Sequence, residues 1–332
     1  MNCMHCYRLA DTYNSELENE LGYDDCIRVL DDLGDTVNKW GIPCRLNFSG
    51  GDPLMRDDIF DLIKYANSKG IATGILGNPV YINCETAKKL KEAGITHYQV
   101  SIDGMEKMHD TLRRKKGSFK DALRAIDVLE HAGMKSVVMF TLSKKNEGDL
   151  IDVIKLVAGR CSVFDFARMV PVGAGECMGD QTFTPDHYRE ILTGVMETYR
   201  DLSGKGCKTR FGKKEPLWAL LEHELGILKR LPENKTLIYG GCSIGMNGLS
   251  ILADGTVYAC RRLAVEIGKV PAQKIGDIFT KSETLNYMRE SENIEGCGNC
   301  ELKQVCRGCR AISYAASGNY MGRDPQCWRG LI

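Results

Sequence analysis

The sequence predicts an α/β protein: a parallel sheet covered by helices, curved into an open or partial barrel, and followed by a small cysteine-rich domain. Strand-like and helix-like segments alternate from residue 25 to about residue 200, which is the pattern of parallel βαβ units. Polar segments directly follow successive strands, and seven of the 15 cysteines lie in the last 91 residues. Ligands of parallel α/β folds gather where strands end, so those segments are candidate binding loops.

Length and composition narrow the class of protein. With 332 residues, 43% of them hydrophobic, the chain can bury a sizeable core in one or two domains. Its 44 basic and 44 acidic residues cancel, which argues against nucleic acid or a membrane surface as a partner. No apolar run approaches the roughly 18 residues of a membrane span, and no signal peptide is visible. Many cysteines in so long a chain favour metal-bound thiolates in a reducing cytoplasm over a disulfide framework.

The barrel elements carry their own local signals. The helix at 57–70 begins with acidic residues and ends on a glycine. The helix at 118–132 has Ser118 as a candidate N-cap. The predicted strands are 44–48, 71–76, 97–102, 135–142 and 163–170. The predicted helices are 25–40, 57–70, 84–94, 118–132, 147–158 and 185–202.

The chain divides into three parts. Residues 1–202 form the barrel, residues 203–240 a connector with a helix near 215–230, and residues 241–332 the cysteine-rich domain. In this last part the helix and strand signals weaken, which indicates a domain ordered by metal rather than by a large apolar core. Within it, Asp254–Gly255 is the predicted turn of a hairpin.

The cysteine block contains two CxxC pairs five residues apart, in 297-CGNCELKQVCRGC-309. Two sulfurs at this spacing can face one metal ion or cluster. Seven cysteines exceed one four-ligand site, so the block indicates two metal centres, or one centre with bystanders. Paired CxxC motifs alone favour structural zinc, whereas seven thiolates beside a barrel with a glycine-rich loop favour iron–sulfur clusters. The cysteines of the block are Cys242, Cys260, Cys297, Cys300, Cys306, Cys309 and Cys327.

A third CxxC motif, Cys3 and Cys6, opens the chain. It stands where the loop after the first strand of a barrel is expected, at the same barrel end as 49-SGGDP-53. A parallel barrel does not begin with the loop after its first strand. We therefore expect residues upstream of Met1, including that strand.

On these residues the chain resembles the radical S-adenosylmethionine (SAM) enzymes that carry a C-terminal SPASM domain. Cys3, His5, Cys6 and Tyr7 match the last part of the signature CxxxCxHCY, whose first cysteine would lie upstream. The resemblance implies that Cys3 and Cys6 are catalytic and ligate the cluster that cleaves SAM. His5 itself is expected to pack or to support a ligand.

The same resemblance implies a SAM site. The family's GGEP motif, here 50-GGDP-53 with Asp52 in place of the commoner Glu, meets the methionine amino group, and Arg113 is expected to pair with the SAM carboxylate. Segment 101-SIDG-104 and Asn78 match positions that contact the ribose and the carboxylate, and 168-RMVPVGAG-175 matches the region near the adenine. The implied SAM-binding residues are Tyr7, Gly50, Gly51, Asp52, Pro53, Asn78, Ser101, Asp103, Arg113 and Val170.

In the tail, the resemblance to SPASM domains implies two auxiliary 4Fe–4S clusters, hence three clusters in all. The outer cluster would be held by Cys297, Cys300, Cys306 and Cys327, and the inner one by Cys242, Cys260 and Cys309. A fourth inner ligand could be substrate, a non-cysteine group, another cysteine or none. Four arginines lie beside these cysteines in the sequence: Arg261, Arg262, Arg307 and Arg310. Three roles are open for them: solvated surface charges, groups that tune the potential of a cluster, or groups that bind an acidic substrate.

The family resemblance leads first to the expectation of a peptide or protein maturase. Such an enzyme cleaves SAM to a 5′-deoxyadenosyl radical and forms a thioether or carbon–carbon crosslink, or a related change, with electrons from a donor such as flavodoxin or ferredoxin. Sulfatase maturation is disfavoured, because Arg261 stands at the position where sulfatase-maturing enzymes carry a catalytic aspartate. An alternative is a tetrapyrrole-modifying enzyme of the haem branch, which 306-CRGCRA-311 and 324-DPQC-327 resemble. A second alternative is a non-catalytic iron–sulfur protein for electron transfer or scaffolding.

Overall fold

Six parallel strands form one sheet, in the order in which they occur along the chain. A computed structural model describes residues 3–7, 18–229, 231 and 237–329 of the protein. The strands are β1 (Arg45–Phe48), β2 (Ala72–Leu76), β3 (Ile95–Ser101), β4 (Lys135–Leu142), β5 (Val163–Arg168) and β6 (Arg210–Phe211). Sequential parallel pairing through helical crossovers follows from the strand–helix alternation of the sequence. The predicted α/β barrel-type fold is confirmed.

Helices cover the sheet because their apolar residues recur on one face. In the helix Ser118–His131 the buried apolar residues are Phe119, Ala122, Ala125, Ile126 and Leu129. Their spacing places them in one stripe that packs against the strands. The helices are α1 (Tyr23–Trp40), α2 (Ile59–Ser68), α3 (Cys84–Ala93), α4 (Glu106–Arg113), α5 (Ser118–His131), α6 (Leu150–Val157), α7 (Pro185–Gly204) and α8 (Trp218–Glu224). Within the described ranges, none of the helices combines the length and the apolar composition that a bilayer crossing needs.

Two barrel elements were not expected from the sequence. The sixth strand, Arg210–Phe211, lies in the stretch assigned to the connector, and two residues are too few to produce an alternating pattern. Helix α4 is the next element after β3 and buries only His109 and Leu112. It therefore lacks the apolar periodicity from which a helix can be predicted. The strand expected at 163–170 ends at Arg168, and the helix expected at 215–230 is limited to Trp218–Glu224.

The C-terminal part contains a three-stranded antiparallel sheet and three short helices. The strands are β7 (Ser250–Ile251), β8 (Thr256–Cys260) and β9 (Leu263–Lys269). The predicted hairpin turn is confirmed, and Gly255 adopts a φ of 86° there, a conformation that glycine takes without steric cost. A second hairpin joins β8 to β9 through Arg261 and Arg262. The helices are α9 (Ile275–Lys281), α10 (Glu283–Arg289) and α11 (Arg310–Ser317).

The C-terminal part contacts the barrel at both ends of the parallel sheet. Near β1, the Ile275 amide donates to the Asp32 carboxylate of α1 (2.6 Å), and the rings of Trp40 and Phe279 lie 5.6 Å apart. At the other end, the guanidinium of Arg168, the last residue of β5, bonds the Asp324 carboxylate at 2.9 Å. The C-terminal part therefore spans the sheet from its first helix to its last strands.

Candidate active site and cluster sites

The predicted SAM-binding segments lie at one edge of the parallel sheet. Segment 49-SGGDP-53 follows β1, Asn78 follows β2, and 101-SIDG-104 ends β3 and the loop after it. Since parallel strands point the same way, their C-terminal ends and the loops that follow meet at this edge. The structure thus brings together segments that are separate in the sequence.

The N-terminal CxxC loop is tied to the same edge by two backbone hydrogen bonds. The Met4 amide donates to the Leu112 carbonyl of α4 at 2.8 Å, and the Gly175 amide donates to the Cys6 carbonyl at 3.4 Å. Cys3 is buried and Cys6 is half-buried. The third cysteine of the radical SAM signature remains an expectation for the residues upstream.

Asp52 connects the loops after β1 and β2. Its carboxylate accepts hydrogen bonds from the Leu54 amide (2.8 Å) and from the Asn78 amide. Burial raises the pKa of Asp52, and these two backbone donors partly offset that effect. Gly50 and Gly51 are exposed and Pro53 is buried. The carboxylate that was expected to meet the methionine amino group therefore also shapes the loop that carries it.

Asn78 is held in place by a close approach of Tyr98 from β3. The Tyr98 hydroxyl donates to the Asn78 carbonyl at 3.2 Å. The neighbouring Gly77 permits this approach, because a Cβ there would lie 2.1 Å from the Tyr98 hydroxyl oxygen. The position of this loop therefore depends on a glycine beside a fully buried tyrosine.

Asp103 is the central buried anion beneath the CxxC loop. Its carboxylate bonds Arg113 Nε at 2.8 Å, lies 3.3 Å from His5 Nε2, and accepts from the Thr141 amide at 2.8 Å. Burial alone would raise the pKa of Asp103, but Arg113 and His5 outweigh it and hold the pKa of this carboxyl well below its usual range. Arg113 Nη1 in turn lies 3.7 Å from Cys3 Sγ.

This arrangement assigns Arg113 a contact that sequence reasoning did not foresee. The arginine expected to pair with the SAM carboxylate is bonded to Asp103 and directed at a candidate cluster cysteine. His5 also contacts Asp103, which agrees with a supporting rather than a ligating role. The SAM contacts of Arg113 and Asp103 remain predictions.

The other implied SAM residues lie around the same edge. Ser101 is half-buried at the end of β3, and the Tyr7 ring has the Arg261 guanidinium carbon 5.7 Å from its centroid. Val170 is buried and packs in the core of the C-terminal part together with Cys242 and Cys309. A contact of Val170 with adenine remains a prediction, and its observed partners belong to the cysteine-rich domain.

The four cysteines assigned to the outer cluster line one cavity. This cavity holds about 410 Å³ of space not filled by protein atoms, part of it open to solvent. The cysteines in its wall are Cys297, Cys300, Cys306 and Cys327. The first and last of these are 30 residues apart in the sequence, so the fold, and not only the CxxC spacing, brings the sulfurs together.

Two fully buried arginines flank this cavity. Arg307 donates to the carbonyls of Cys242 and Ile244 (both 3.1 Å), and Arg310 donates to the Gly322 carbonyl (2.7 Å). Neither is a solvated charge, so that interpretation of the sequence is wrong for them. Among the described residues, Arg307 Nε and two nitrogens of Arg310 have no hydrogen-bond partner. Buried cationic donors left over beside four thiols fit an anionic, thiolate-bound cluster.

The cysteines assigned to the inner cluster lie where the two parts of the chain meet. Cys242 and Cys309 are buried, and Cys260 at the end of β8 is half-buried. The Cys242 amide donates to the Cys306 carbonyl at 2.9 Å, which links the inner and outer sets. Arg262 Nη2 lies 3.9 Å from Cys309 Sγ. An arginine beside a thiol favours the thiolate that a cluster requires.

Burial favours the protonated form of the thiols in both cysteine sets. Burial raises the pKa of Cys297 to about 11 and that of Cys309 to about 12, so these sulfurs would become thiolates only with a bound cation. Across the described ranges, no three His, Cys, Asp or Glu side chains converge as they would around a single ion. All 15 cysteines are free thiols.

A buried ionic network joins the barrel to the cysteine-rich domain. Arg168 bonds Glu215 through Nε (2.6 Å) and Asp324 through both terminal nitrogens (2.9 Å each), and its guanidinium lies 4.7 Å from the Tyr188 ring centroid. Asp324 also accepts from the Cys309 amide at 2.8 Å. One carboxylate therefore holds both the end of β5 and a cluster cysteine.

Sequence reasoning missed several residues of the site. Arg168, Glu215 and Asp324 meet only in the folded chain, and no local pattern indicates that they pair with one another. His109 is a further buried residue of this edge, and its Nδ1 accepts from the Asp103 amide at 3.0 Å. The only local signal that could have identified Asp324 is its position in DPQC, three residues before Cys327.

A parallel barrel-type sheet with a CxxC loop at its edge, joined to a domain in which four cysteines line one cavity, is the architecture expected of a barrel enzyme with iron–sulfur clusters. Residues 1–157 match the Radical SAM superfamily, and residues 242–310 match SPASM, the iron–sulfur cluster-binding domain. The chain belongs to the radical SAM superfamily and carries a SPASM domain. It is a radical SAM enzyme, and its cofactors are SAM and 4Fe–4S clusters.

Known proteins resemble the chain over nearly its whole length. An AdoMet-dependent heme synthase of Methanosarcina barkeri is 30% identical over 340 residues, which cover 98% of this chain and 92% of that protein. An enzyme of the same name from Oleidesulfovibrio alaskensis is 29% identical over 98% of this chain and 83% of its own length. Streptococcus suis SuiB bound to S-adenosylmethionine superposes with a TM-score of 0.73 at 16% identity, over 98% of this chain and 74% of SuiB. The last likeness is one of fold alone.

These relatives correct the expectation of a peptide or protein maturase. Mycofactocin maturase MftC of Mycolicibacterium smegmatis is 25% identical over 99% of the chain, less than the haem synthases at 29–30%. The leading interpretation was wrong because the cysteine pattern and the SAM motifs serve the cofactors, which both kinds of enzyme share. The haem-branch alternative is the better supported one.

Proposed function

We propose that the protein is a radical SAM enzyme that modifies a peripheral side chain of an iron tetrapyrrole in haem synthesis. The observation that carries the proposal is the similarity, over 98% of the chain, to AdoMet-dependent heme synthases. The segments 306-CRGCRA-311 and 324-DPQC-327 add support, since they contain the buried Arg307 and Asp324 that line the cavity and the buried Arg310 beside Gly308 in its wall.

The reaction class follows from the substrate. Haem carries vinyl groups at two positions where Fe-coproporphyrin III carries propionates, so oxidative decarboxylation of two propionates to vinyl groups is the change we assign. Each conversion would remove one hydrogen atom, carbon dioxide and one electron, and a cluster of the SPASM domain would accept that electron. When bound, SAM and a reduced cluster supply a radical that takes a hydrogen atom from an unactivated C–H bond. The protein holds the CxxC loop through Met4 and Cys6, orients Cys3 through Arg113 and Asp103, and covers the barrel mouth with the cysteine-rich domain. Such a cover limits solvent access to a reactive intermediate.

The cofactor count is part of the proposal. We assign Cys3 and Cys6 to the catalytic cluster, and the two SPASM sets to two further clusters. About twelve irons per chain are then expected from three four-iron clusters. A flavodoxin or ferredoxin is the proposed electron donor, and the exposed free thiols of Cys84 and Cys177 fit a reducing cytoplasm.

The test uses the full-length protein reconstituted without oxygen. Iron is counted, and 5′-deoxyadenosine and the tetrapyrrole are followed by mass spectrometry after reduction with Fe-coproporphyrin III present or absent. We expect the tetrapyrrole to lose the mass of carbon dioxide plus two hydrogens for each propionate that becomes a vinyl group, together with SAM cleavage. Cys6→Ala should abolish both, whereas Cys84→Ala at an exposed position should leave both unchanged. SAM cleavage that leaves every carboxylated iron tetrapyrrole intact would refute the proposal.

A further inference from the structure

The hairpin loop between β8 and β9 reaches into the mouth of the barrel. Arg262 Nη1 donates to the Arg168 carbonyl at 3.0 Å, at the end of β5. The neighbouring Arg261 guanidinium lies over the ring of Tyr7, with 5.7 Å between the guanidinium carbon and the ring centroid. Tyr7 directly follows Cys6 of the CxxC motif, and Arg261 directly follows Cys260. The loop therefore lies between the catalytic cysteines and those assigned to the inner cluster.

Lys214 approaches the same place from the barrel. It lies just after β6, at the C-terminal edge of the sheet, and its side chain is accessible to solvent. The pKa of Lys214 is lowered to about 8, chiefly by burial of the ammonium and then by the positive charges of Arg261 and Arg262. Asp165 and Glu215 raise this pKa by less. The backbone places Lys214 beside the hairpin loop: its amide donates to Asp165 of β5 at 3.2 Å, and the next residue, Glu215, bonds Arg168, whose carbonyl accepts from Arg262.

Most of the charged side chains near Lys214 and Arg261 already have partners. Arg168 is paired with Glu215 and Asp324, both at hydrogen-bond distance. Arg262 is directed at a backbone carbonyl and at Cys309 Sγ. In the part of the chain that the structure describes, no carboxylate lies within salt-bridge distance of the Lys214 ammonium or the Arg261 guanidinium. Two cations therefore remain for a ligand.

We propose that Lys214 and Arg261 form a carboxylate-binding site that holds the propionates of the tetrapyrrole between the catalytic cysteines and the inner-cluster cysteines. The inference rests on the proposed function and names the residues that would recognise its substrate. A guanidinium suits a carboxylate because its parallel N–H groups match the two oxygens, and a lysine adds a mobile point charge. The competing role for both residues is to balance the negative charge of the clusters, which the experiment separates from carboxylate binding.

The experiment compares binding of Fe-coproporphyrin III and of its methyl ester to anaerobically prepared holoenzyme, followed by the shift of the tetrapyrrole absorption band. The variants are Lys214→Met, Arg261→Gln and Arg261→Lys. Lys213→Met is the matched control, because the neighbouring Lys213 is bonded to Glu222 on the outside of the barrel. Loss of one charge-assisted contact should weaken binding of the acid by about 10-fold or more. Arg261→Lys should restore part of it, and iron content and the cluster EPR spectra should not change.

The outcomes distinguish the inference from the proposed function. Weaker binding of the acid with unchanged binding of the ester, for Lys214→Met and Arg261→Gln but not for Lys213→Met, supports the site. Variants that bind and convert the acid like the wild type would overturn the inference alone. Equal weakening of acid and ester, or altered cluster spectra, would assign the two cations to the clusters. A wild-type enzyme that neither binds nor converts the tetrapyrrole would remove the proposed function and the inference with it.

Discussion

Replacing Asp324 by asparagine should separate the cysteine-rich domain from the barrel at one defined point. Asp324 Oδ1 accepts from Arg168 Nη1 (2.9 Å) and from the Gln326 amide (3.0 Å), whereas Oδ2 accepts from Arg168 Nη2 (2.9 Å) and from the Cys309 amide (2.8 Å). Both carboxylate oxygens thus face two donors each. An asparagine amide group must place its NH₂ against one of these donor pairs, whichever way it is turned.

The magnitude follows from this geometry. Asp324→Asn keeps the shape of the side chain but loses two hydrogen bonds in either orientation, and Arg168 retains only Glu215 as an anionic partner. Removing one partner of a buried ion pair costs about 3–5 kcal/mol. We therefore expect a markedly lower unfolding midpoint and loss of auxiliary iron, because the same carboxylate holds the Cys309 amide.

The assay is guanidinium unfolding of anaerobic holoenzyme, followed by tryptophan fluorescence and by the visible absorption of the clusters, with iron counted beforehand. Asp127→Asn is the control, since Asp127 forms a similar two-point pair with Arg160 at the surface (2.7 and 2.6 Å). A surface pair contributes about 1 kcal/mol or less. If Asp324→Asn costs no more than Asp127→Asn and retains full iron, the buried network does not hold the domain as we argue.

Two further perturbations test other parts of the site. Gly241→Ala should remove auxiliary iron, because a Cβ at residue 241 would lie 1.9 Å from the Cys306 carbonyl oxygen. Gly226→Ala is the control for backbone strain, because Gly226 has a similar positive φ and open space around it. Equal iron content in both variants would contradict the steric argument. Asp103→Asn should slow SAM cleavage by about 10-fold or more at unchanged auxiliary iron, because Arg113 loses its anionic partner beside Cys3; single-turnover formation of 5′-deoxyadenosine measures this, and a wild-type rate would show that the buried pair does not position the CxxC loop.

The regular part of the fold was predictable because its signals are local. The strand expected at 135–142 is found at Lys135–Leu142, since its apolar residues are buried on both faces of the sheet. The strand at Arg210–Phe211 was not predictable, because two residues carry no pattern and are placed only by pairing with β5. The short helices of the C-terminal part escaped for a related reason: seven-residue helices such as Ile275–Lys281 have too few turns to establish a period.

In the candidate site, too, residues within local motifs could be predicted from the sequence, whereas pairs that meet only in the folded chain could not. The four cysteines that family resemblance groups together line one cavity, and their ligation of iron remains a prediction. Arg168 and Asp324 meet across 156 residues of sequence, and such a pair leaves no trace in either local segment. Lys214 stands in an unremarkable run of charges, and only the approach of the β8–β9 loop gives it a possible role.

The contacts of the cysteine-rich domain with both α1 and β5 have a consequence for how the enzyme responds to oxygen. An open sheet can change its curvature when nothing bridges its ends, and here the bridge is an iron–sulfur cluster-binding domain, whose order we expect to depend on iron. We expect oxidative damage at the auxiliary centres to loosen the barrel wall at two distant places, near Asp32 and near Arg168, before the barrel core itself is disturbed. Amide hydrogen exchange should therefore report metal loss as increased opening in α1 and β5.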